Sequence, residues 1–355
     1  MTLFLYFTTA LIISFVITWL IKIFMQKWRV VDKAEDAARK IHEIDKPLGG
    51  GIALFISFFT LISIAYYLND IGSSINLTYL AALFIGGTII IVGGFLDDMY
   101  DFEYYYQFVP PVLATLVIMV VGMGPEVITD PFGGVIRLEN LTLNIGNIEW
   151  VLLSDLLVFF WLMGMMFTTK LLDGLDGLVA GIVAIGALMI FSLSLQPQWY
   201  QPEMAVISII FATSCLGFLV WNWHPASIFL GESGSLFAGF ILGVLAIIAG
   251  GKIATALLVM GIPILDIIRV IIMRAKKGKS LVSGDREHLH FRLIRNGLSH
   301  RQAVLLFYAI SFLFGITTLF LQSKHKIIAL LFLGVLMLLL GLWFLRQDEK
   351  KNINN

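Results

Sequence analysis

Hydrophobic positions in this chain come in long unbroken blocks, not in stripes of period 3.6 or 2. A block of about 17 to 25 apolar residues is what a helix needs to cross the hydrocarbon of a bilayer. Eleven blocks meet that length, at about 3–25, 50–68, 77–96, 106–123, 150–168, 177–195, 203–221, 234–250, 253–272, 303–321 and 327–345. Between the fourth and fifth, Gly124–Glu149 holds Pro125, Pro131 and Gly133-Gly134, then alternates as Val-Ile-Arg-Leu-Glu-Asn-Leu-Thr-Leu. Alternation bounded by turn residues predicts a short hairpin at the surface. No long repeat and no low-complexity tract breaks the pattern. The expectation is one domain over 1–355, an all-α polytopic membrane protein of about eleven transmembrane helices.

Composition removes the soluble alternative. The chain is 59% hydrophobic and 14% charged, against about 45–50% apolar and about 25% charged in soluble domains. Mean hydropathy is +0.91. A formal net charge of zero gives no basis for nucleic-acid binding. Cys215, the single cysteine, lies in an apolar run, has no intrachain partner and reads as a small hydrophobe. The first block has no basic flank ahead of it and is too long for a signal peptide, so it reads as a retained first helix.

Basic residues orient the helices. With eleven spans, the loops after helices 1, 3, 5, 7 and 9 share a side with the C-terminus, and that side holds 20 of the 24 Lys and Arg. Only Arg137, Lys252, Lys324 and Lys326 fall on the other. The positive-inside bias puts the N-terminus outside and the C-terminus in the cytoplasm.

The same inner face collects the unusual polar motifs. The first inner loop runs Arg39-Lys40-Ile41-His42, then Lys46-Pro47-Leu48-Gly49-Gly50-Gly51. Glycines opening a helix expose N–H groups that suit an anion; the stretch reads equally as a basic loop with a flexible helix start. Helix 3 ends in Gly93-Gly94-Phe95-Leu96-Asp97-Asp98-Met99-Tyr100-Asp101. Adjacent carboxylates repel, which raises the pKa of one and suits it to accept a proton, and they also suit a divalent cation. Thr168–Gly181 carries Lys170, Asp173 and Asp176 in an otherwise apolar stretch. A carboxylate at the centre of a membrane helix costs about 2.5–3.5 kcal/mol, so these groups belong at a water-facing end or in a site. Helical spacing puts Lys170 and Asp173 on one face, with Asp176 continuing it.

After helix 7 comes Trp221–Ser235, with Asn222, His224, Phe229 and Glu232 close together. An amide can read a base edge, a ring can stack on it and a carboxylate can bind metal; Trp221, Trp223 and Phe229 read equally as interfacial aromatics. The last inner loop pairs His288 and His290 with Arg286 and Arg292. That grouping suggests phosphate more than zinc, because no further Cys or His completes a usual ligand set. The lysines from Lys276 to Lys279 read as a basic juxtamembrane loop.

Taken in order, RKIH…KPLGGG, GGFLDDMYD, KLLDGLDGL, WNWHPASIFLGESGS and DREHLHFRL resemble the polyprenyl-phosphate N-acetylhexosamine-1-phosphate transferases, in the WecA/TagO branch related to MraY. The resemblance covers residues from about 30 to 302. It implies transfer of N-acetylhexosamine 1-phosphate, above all GlcNAc 1-phosphate, from a UDP-sugar to polyprenyl (undecaprenyl) phosphate. UMP leaves, the cofactor is Mg²⁺ or Mn²⁺, and the active site lies on the cytoplasmic face of a bacterial plasma membrane. The partners it implies are UDP-N-acetylhexosamine, polyprenyl phosphate and the lipid bilayer, and it allows a homodimer. On matching positions, Asp97 is the family's proposed base with Asp98 beside it, and Asp173 belongs to the catalytic acids. Asp176, Asn222 and Phe229 match the uridine pocket, and Glu232 and Asp173 the metal site. His288 and His290 match the histidine-rich loop, while Lys46, Lys170, Arg286 and Arg292 are substrate-binding candidates.

This sequence departs from the pattern at four places. Lys170 replaces a usual Asn, Glu232 a usual Asp and Phe291 a usual third histidine, and the segment after Asp101 lacks a common Lys. The expectation is that the longer Glu232 still reaches the ion while Lys170, a compact cation, contacts the diphosphate. An MraY-like transferase is the alternative within the family. A transporter using the inward acids as an ion site is a different class, opposed by the absence of inverted repeats. An inactive scaffold is a third.

Overall fold

The structure, a computed structural model, describes residues 2–32, 45–129, 134–138, 141–145, 148–250, 252–276, 278, 288–321, 325–336 and 339. Twelve helices run in order: α1 (Thr2–Trp28), α2 (Gly50–Tyr67), α3 (Leu77–Tyr100), α4 (Val109–Val120), α5 (Leu152–Leu172), α6 (Leu178–Ser194), α7 (Pro202–Asn222), α8 (Gly231–Ile248), α9 (Ile253–Val259), α10 (Gly261–Lys276), α11 (Leu289–Arg295) and α12 (His300–Phe320). A further apolar helix spans His325–Leu336. Among the described residues, seven helices are long and apolar enough to cross a membrane, or eight if the bent pair α9–α10 is one span. This is a multi-pass helical membrane protein.

Helix starts follow local chemistry. Prolines open α4 and α7, where the missing N–H has no helical partner anyway. The Asn76 side chain accepts the Tyr79 N–H (2.9 Å) to cap α3, and Ser299 with Gln302 forms a capping box on α12. Glu203, in the first turn of α7, accepts N–H groups of Gly72, Ser73, Ser74 and Ile75. That contact ties α7 to the α2–α3 loop.

The block expected as one helix over 253–272 is two helices bent by 73°. Pro263 explains the break: it brings no N–H and crowds the carbonyl four residues back, at Val259. The freed Val259 carbonyl accepts the Ser311 hydroxyl (2.8 Å), so the break is satisfied by α12. The expected surface hairpin is two, β3 (Val127–Thr129) with β4 (Val135–Arg137) and β5 (Thr142–Ile145) with β6 (Ile148–Val151). A third antiparallel pair joins β1 (Val31–Asp32) and β2 (Lys46–Pro47) between α1 and α2. Two-residue strands carry no readable alternation.

Helix α8 is the core: 89% of its membrane-length window is buried, against 22% for α1. It packs on α2, α3, α5 and α6. Lipid is as apolar as leucine, so close approach of backbones, not apolar burial alone, holds such helices together. A Cβ on Gly51 would lie 2.4 Å from the Gly234 nitrogen, and one on Gly94 2.4 Å from the Ser233 Cα. Helices α2 and α3 therefore meet the start of α8 backbone to backbone.

Gly94→Ala forces that contact apart, and overpacking of this kind costs about 1–3 kcal/mol. Gly164, inside α5, has nothing within 4 Å of its absent Cβ. Thermal unfolding in detergent will show a lower midpoint for Gly94→Ala and an unchanged or higher one for Gly164→Ala, since Ala favours a helix interior by about 1 kcal/mol.

Candidate active site

Three interhelical segments are laced together over the start of α8. The Gly50 and Gly51 N–H groups donate to the carbonyls of Phe229 and Leu230, both at 3.1 Å, and the Phe229 N–H donates to Pro47 (2.9 Å). The expectation that this glycine run offers its N–H groups to an anion is corrected here. At Gly50 and Gly51 they hold the 226–231 loop, and the absent side chains let that loop lie against α2. The Asn222 amide, 4% exposed, accepts the Gly177 N–H and donates to the Ile228 carbonyl, both at 2.9 Å. Gly177 sits at φ 80°, a left-handed turn that lets α6 start there. Asp176 accepts the Ala226 N–H (3.0 Å) and lies 2.7 Å from His224 Nδ1.

These segments wall a cavity of about 1090 Å³. Lys46, Asp97, Asp98, Lys170, Asp173, Asp176, Asn222, Phe229 and Glu232 all line it. Four helices, with the strand and loops beside them, thus bring nine of the thirteen sequence candidates to one space. His288, His290 and Arg292 are buried and are not on its wall, and Arg286 lies outside the described residues.

Asp97 and Asp98 are unequal. Asp97, 7% exposed, accepts the Phe102 N–H (2.9 Å) and the Gln107 amide (3.2 Å) on Oδ1. Asp98 reaches the first turn of α8, where Oδ1 accepts the Glu232 N–H (2.8 Å) and Oδ2 the Ser233 hydroxyl (3.1 Å) and N–H (3.4 Å). An anion is well placed at those unpaired donors. Asp98 is thereby the clamp that fixes Glu232.

Lys170, at the end of α5, points into the acids. Its Nζ lies 3.0 Å from Glu232 Oε2 and 3.9 Å from Asp97 Oδ2, and it donates to Gln107 Oε1 at 2.8 Å. The helical neighbour Asp173 is not its partner, because α5 ends at Leu172 and Asp173 leaves the helical path. Depth in the protein, then the charges of Glu232, Asp98 and Asp176, push the Asp173 carboxyl well above its usual range. Its side chain opens on the cavity, so charge repulsion is the cause that persists in water.

The short helix α11 was not foreseen. Its His290 is 1% exposed and packs behind Gly174, where a Cβ would meet Nε2 at 2.4 Å. Burial, then the neighbouring His288, pushes His290 down to about 3, so it is a neutral ring rather than the phosphate-binding cation expected. His288 Nδ1 lies 3.0 Å from Asp266, which also accepts the Leu289 N–H (2.9 Å) and binds Arg269. Asp266, Gln107 and His300 escaped the sequence reading, since each stands alone in its stretch. The His300 ring stacks on His224 at 3.9 Å and 14°. Asp176, His224 and His300 bring ligand atoms within 4.8 Å of one another. A metal binds in the plane of an imidazole, however, and two stacked planes cannot share one ion.

A divalent cation needs oxygen donors. Asp98 has both oxygens engaged, whereas Asp173 and Glu232 act on each other as like charges. Glu232 Oε2 is buried with the Lys170 ion pair but no aligned hydrogen-bond donor among the described residues. These two acids fit such an ion.

The pattern of glycosyl transferase family 4 matches residues 80–250, which hold Asp97, Asp98, Asp173, Asp176 and Glu232. The decaprenyl-phosphate N-acetylglucosaminephosphotransferase of Mycolicibacterium smegmatis is 33% identical over 326 residues, covering 84% of this chain and 77% of that protein. The chain belongs to this family. A second family 4 relative, from Bacillus subtilis, is named "Probable undecaprenyl-phosphate N-acetylglucosaminyl 1-phosphate transferase" and is 30% identical over 94% of this chain and 88% of its own. The phospho-N-acetylmuramoyl-pentapeptide-transferase of Halalkalibacterium halodurans is 28% identical over 88% and 96%.

The family 4 cavity makes a stability prediction. Asp98→Asn sets an amide N–H against donors that need an acceptor, and a hydrogen bond to a charged group is worth about 1.5–3 kcal/mol. Asp173→Asn removes repulsion. Scanning fluorimetry will record a lower midpoint for Asp98→Asn and an equal or higher one for Asp173→Asn; equal losses in both would contradict these roles.

Proposed function

We propose that this chain transfers N-acetylglucosamine 1-phosphate from UDP-N-acetylglucosamine to polyprenyl phosphate, yielding polyprenyl-diphospho-N-acetylglucosamine and UMP. The observation that carries it is one cavity lined both by Phe229 and Asp176 and by the acids around Lys170. A uridine diphosphate sugar has the matching halves. The membrane course that goes with this reading is eleven crossings, N-terminus outside, with the cavity facing the cytoplasm; the 20 basic residues of the inner loops and C-terminus support it.

An oxygen of the lipid phosphate attacks the β-phosphorus of the donor, and the bond from that phosphorus to the UMP oxygen breaks. Such a transfer needs in-line positioning and charge neutralisation more than covalent help. Phe229 stacks on the uracil, and Asp176 accepts from the nucleoside. Asn222, engaged at both ends, holds the two loops that carry them. Asp97 takes the proton when the lipid phosphate enters protonated, with the Lys170 ammonium 3.9 Å from its Oδ2. Lys46, on the cavity wall, faces the phosphates. A divalent cation, Mg²⁺ or Mn²⁺, held by Asp173 and Glu232, would supply neutralisation of the diphosphate.

A donor panel tests this. With undecaprenyl phosphate, mass spectrometry should find the diphospho-lipid and equimolar UMP from UDP-N-acetylglucosamine, and none from UDP-N-acetylmuramoyl-pentapeptide. Asp97→Asn should lower the rate by at least about 10²-fold, the lower range for a lost proton acceptor. Turnover of the pentapeptide donor alone would move the chain to the muramoyl branch.

A further inference from the structure

Seven carboxylates line the cavity, Asp32, Asp97, Asp98, Asp101, Asp173, Asp176 and Glu232, against the cations Arg29, Lys46 and Lys170, and both substrates of the proposed reaction are anions. A site of that charge repels what it must bind unless something inside offsets it. Lys170 is placed to do so. Its stem is held by α5, its side chain is only 12% exposed, and its ammonium spans from Glu232 Oε2 at 3.0 Å towards Asp97 Oδ2 at 3.9 Å. Gln107 fixes the arrangement from the far side: Oε1 accepts from Lys170 at 2.8 Å, while Nε2 donates to Asp97 at 3.2 Å and to the Phe102 carbonyl at 2.9 Å. Glu232, Lys170, Gln107 and Asp97 thus form one continuous chain of contacts. Glu232 is also a proposed ligand of the divalent ion, so ammonium and ion compete for the same oxygen.

We propose that Lys170 is a resident counter-cation of the metal site, paired with Glu232 while the ion is absent and displaced from it when the ion enters. The inference rests on the proposed transfer reaction only for the identity of the site, not of the donor. Its consequence is a site that stays assembled without metal and binds metal weakly, so that ion and sugar nucleotide arrive together. The Lys170 ammonium, released from Glu232, then turns to the diphosphate.

The test is Mn²⁺ binding, followed by electron paramagnetic resonance of the free ion, to the full chain in phosphatidylcholine nanodiscs with no substrate. Glu232→Gln identifies the ion counted, by losing it. Removing a unit charge this close to a divalent ion should tighten binding by roughly tenfold or more even with water screening, so Lys170→Met should lower the Kd by at least that factor. Lys170→Arg, which keeps the charge, should stay near wild type. An unchanged or weaker Kd in Lys170→Met, or no saturable ion that depends on Glu232, overturns the proposal. Should Lys170→Met not yield folded protein, the wild type decides. Acylation of Lys170 by an amine reagent, read by peptide mass spectrometry, should rise on saturation with Mn²⁺, and no rise is contradictory. These readings stand apart from turnover, so a chain that shifts its Kd as expected but uses no N-acetylglucosamine donor would reject the donor and keep the counter-cation.

Discussion

Everything in the cavity depends on how closely α2 and α3 approach the first turn of α8. Glycines at 51, 94 and 234 leave no room for a side chain there. With the backbones in contact, Asp98 reaches the unpaired N–H groups of Glu232 and Ser233, and the carbonyls of Phe229 and Leu230 reach Gly50 and Gly51. One packing constraint therefore fixes an acid from α3, an acid from α8 and an aromatic loop. In a bilayer this is the available device, because apolar side chains gain little by choosing protein over lipid.

The second layer is electrostatic. Acids gathered at one end of a cavity cost free energy, and the protein distributes that cost unevenly. Asp98 is neutralised by a helix start and Asp176 by an N–H and a histidine. Glu232 and Asp97 share a lysine. Asp173 faces the like charges of Glu232, Asp98 and Asp176, and it is pushed well above its usual range. A group kept in such surroundings is a mark of function rather than of stability.

The helices were legible because a bilayer imposes length and polarity together; ten of the eleven expected blocks fall on described helices and the eleventh is described to Leu336, while the break in 253–272 was not foreseen. Shared location was legible too, since Asp97, Asp173 and Glu232 follow long apolar runs with charges in odd places. What each polar group touches was not. The glycine run looked like an anion cradle until the 226–231 loop took up its N–H groups, and His290 looked like a cation until α11 buried it against Gly174. Gln107 carried no signal at all, because a glutamine after three tyrosines has meaning only once α5 brings Lys170 to it. Contacts between elements far apart in sequence are set by packing, and no local pattern encodes them.

The most direct test of the account is a cryo-electron microscopy map of the full chain with UDP-N-acetylglucosamine and Mn²⁺. The account requires the uracil against Phe229 and Asp176, the diphosphate towards Lys170, and the ion between Asp173 and Glu232. A nucleotide bound elsewhere, or a diphosphate turned away from Lys170 with Glu232 still paired to it, would contradict it.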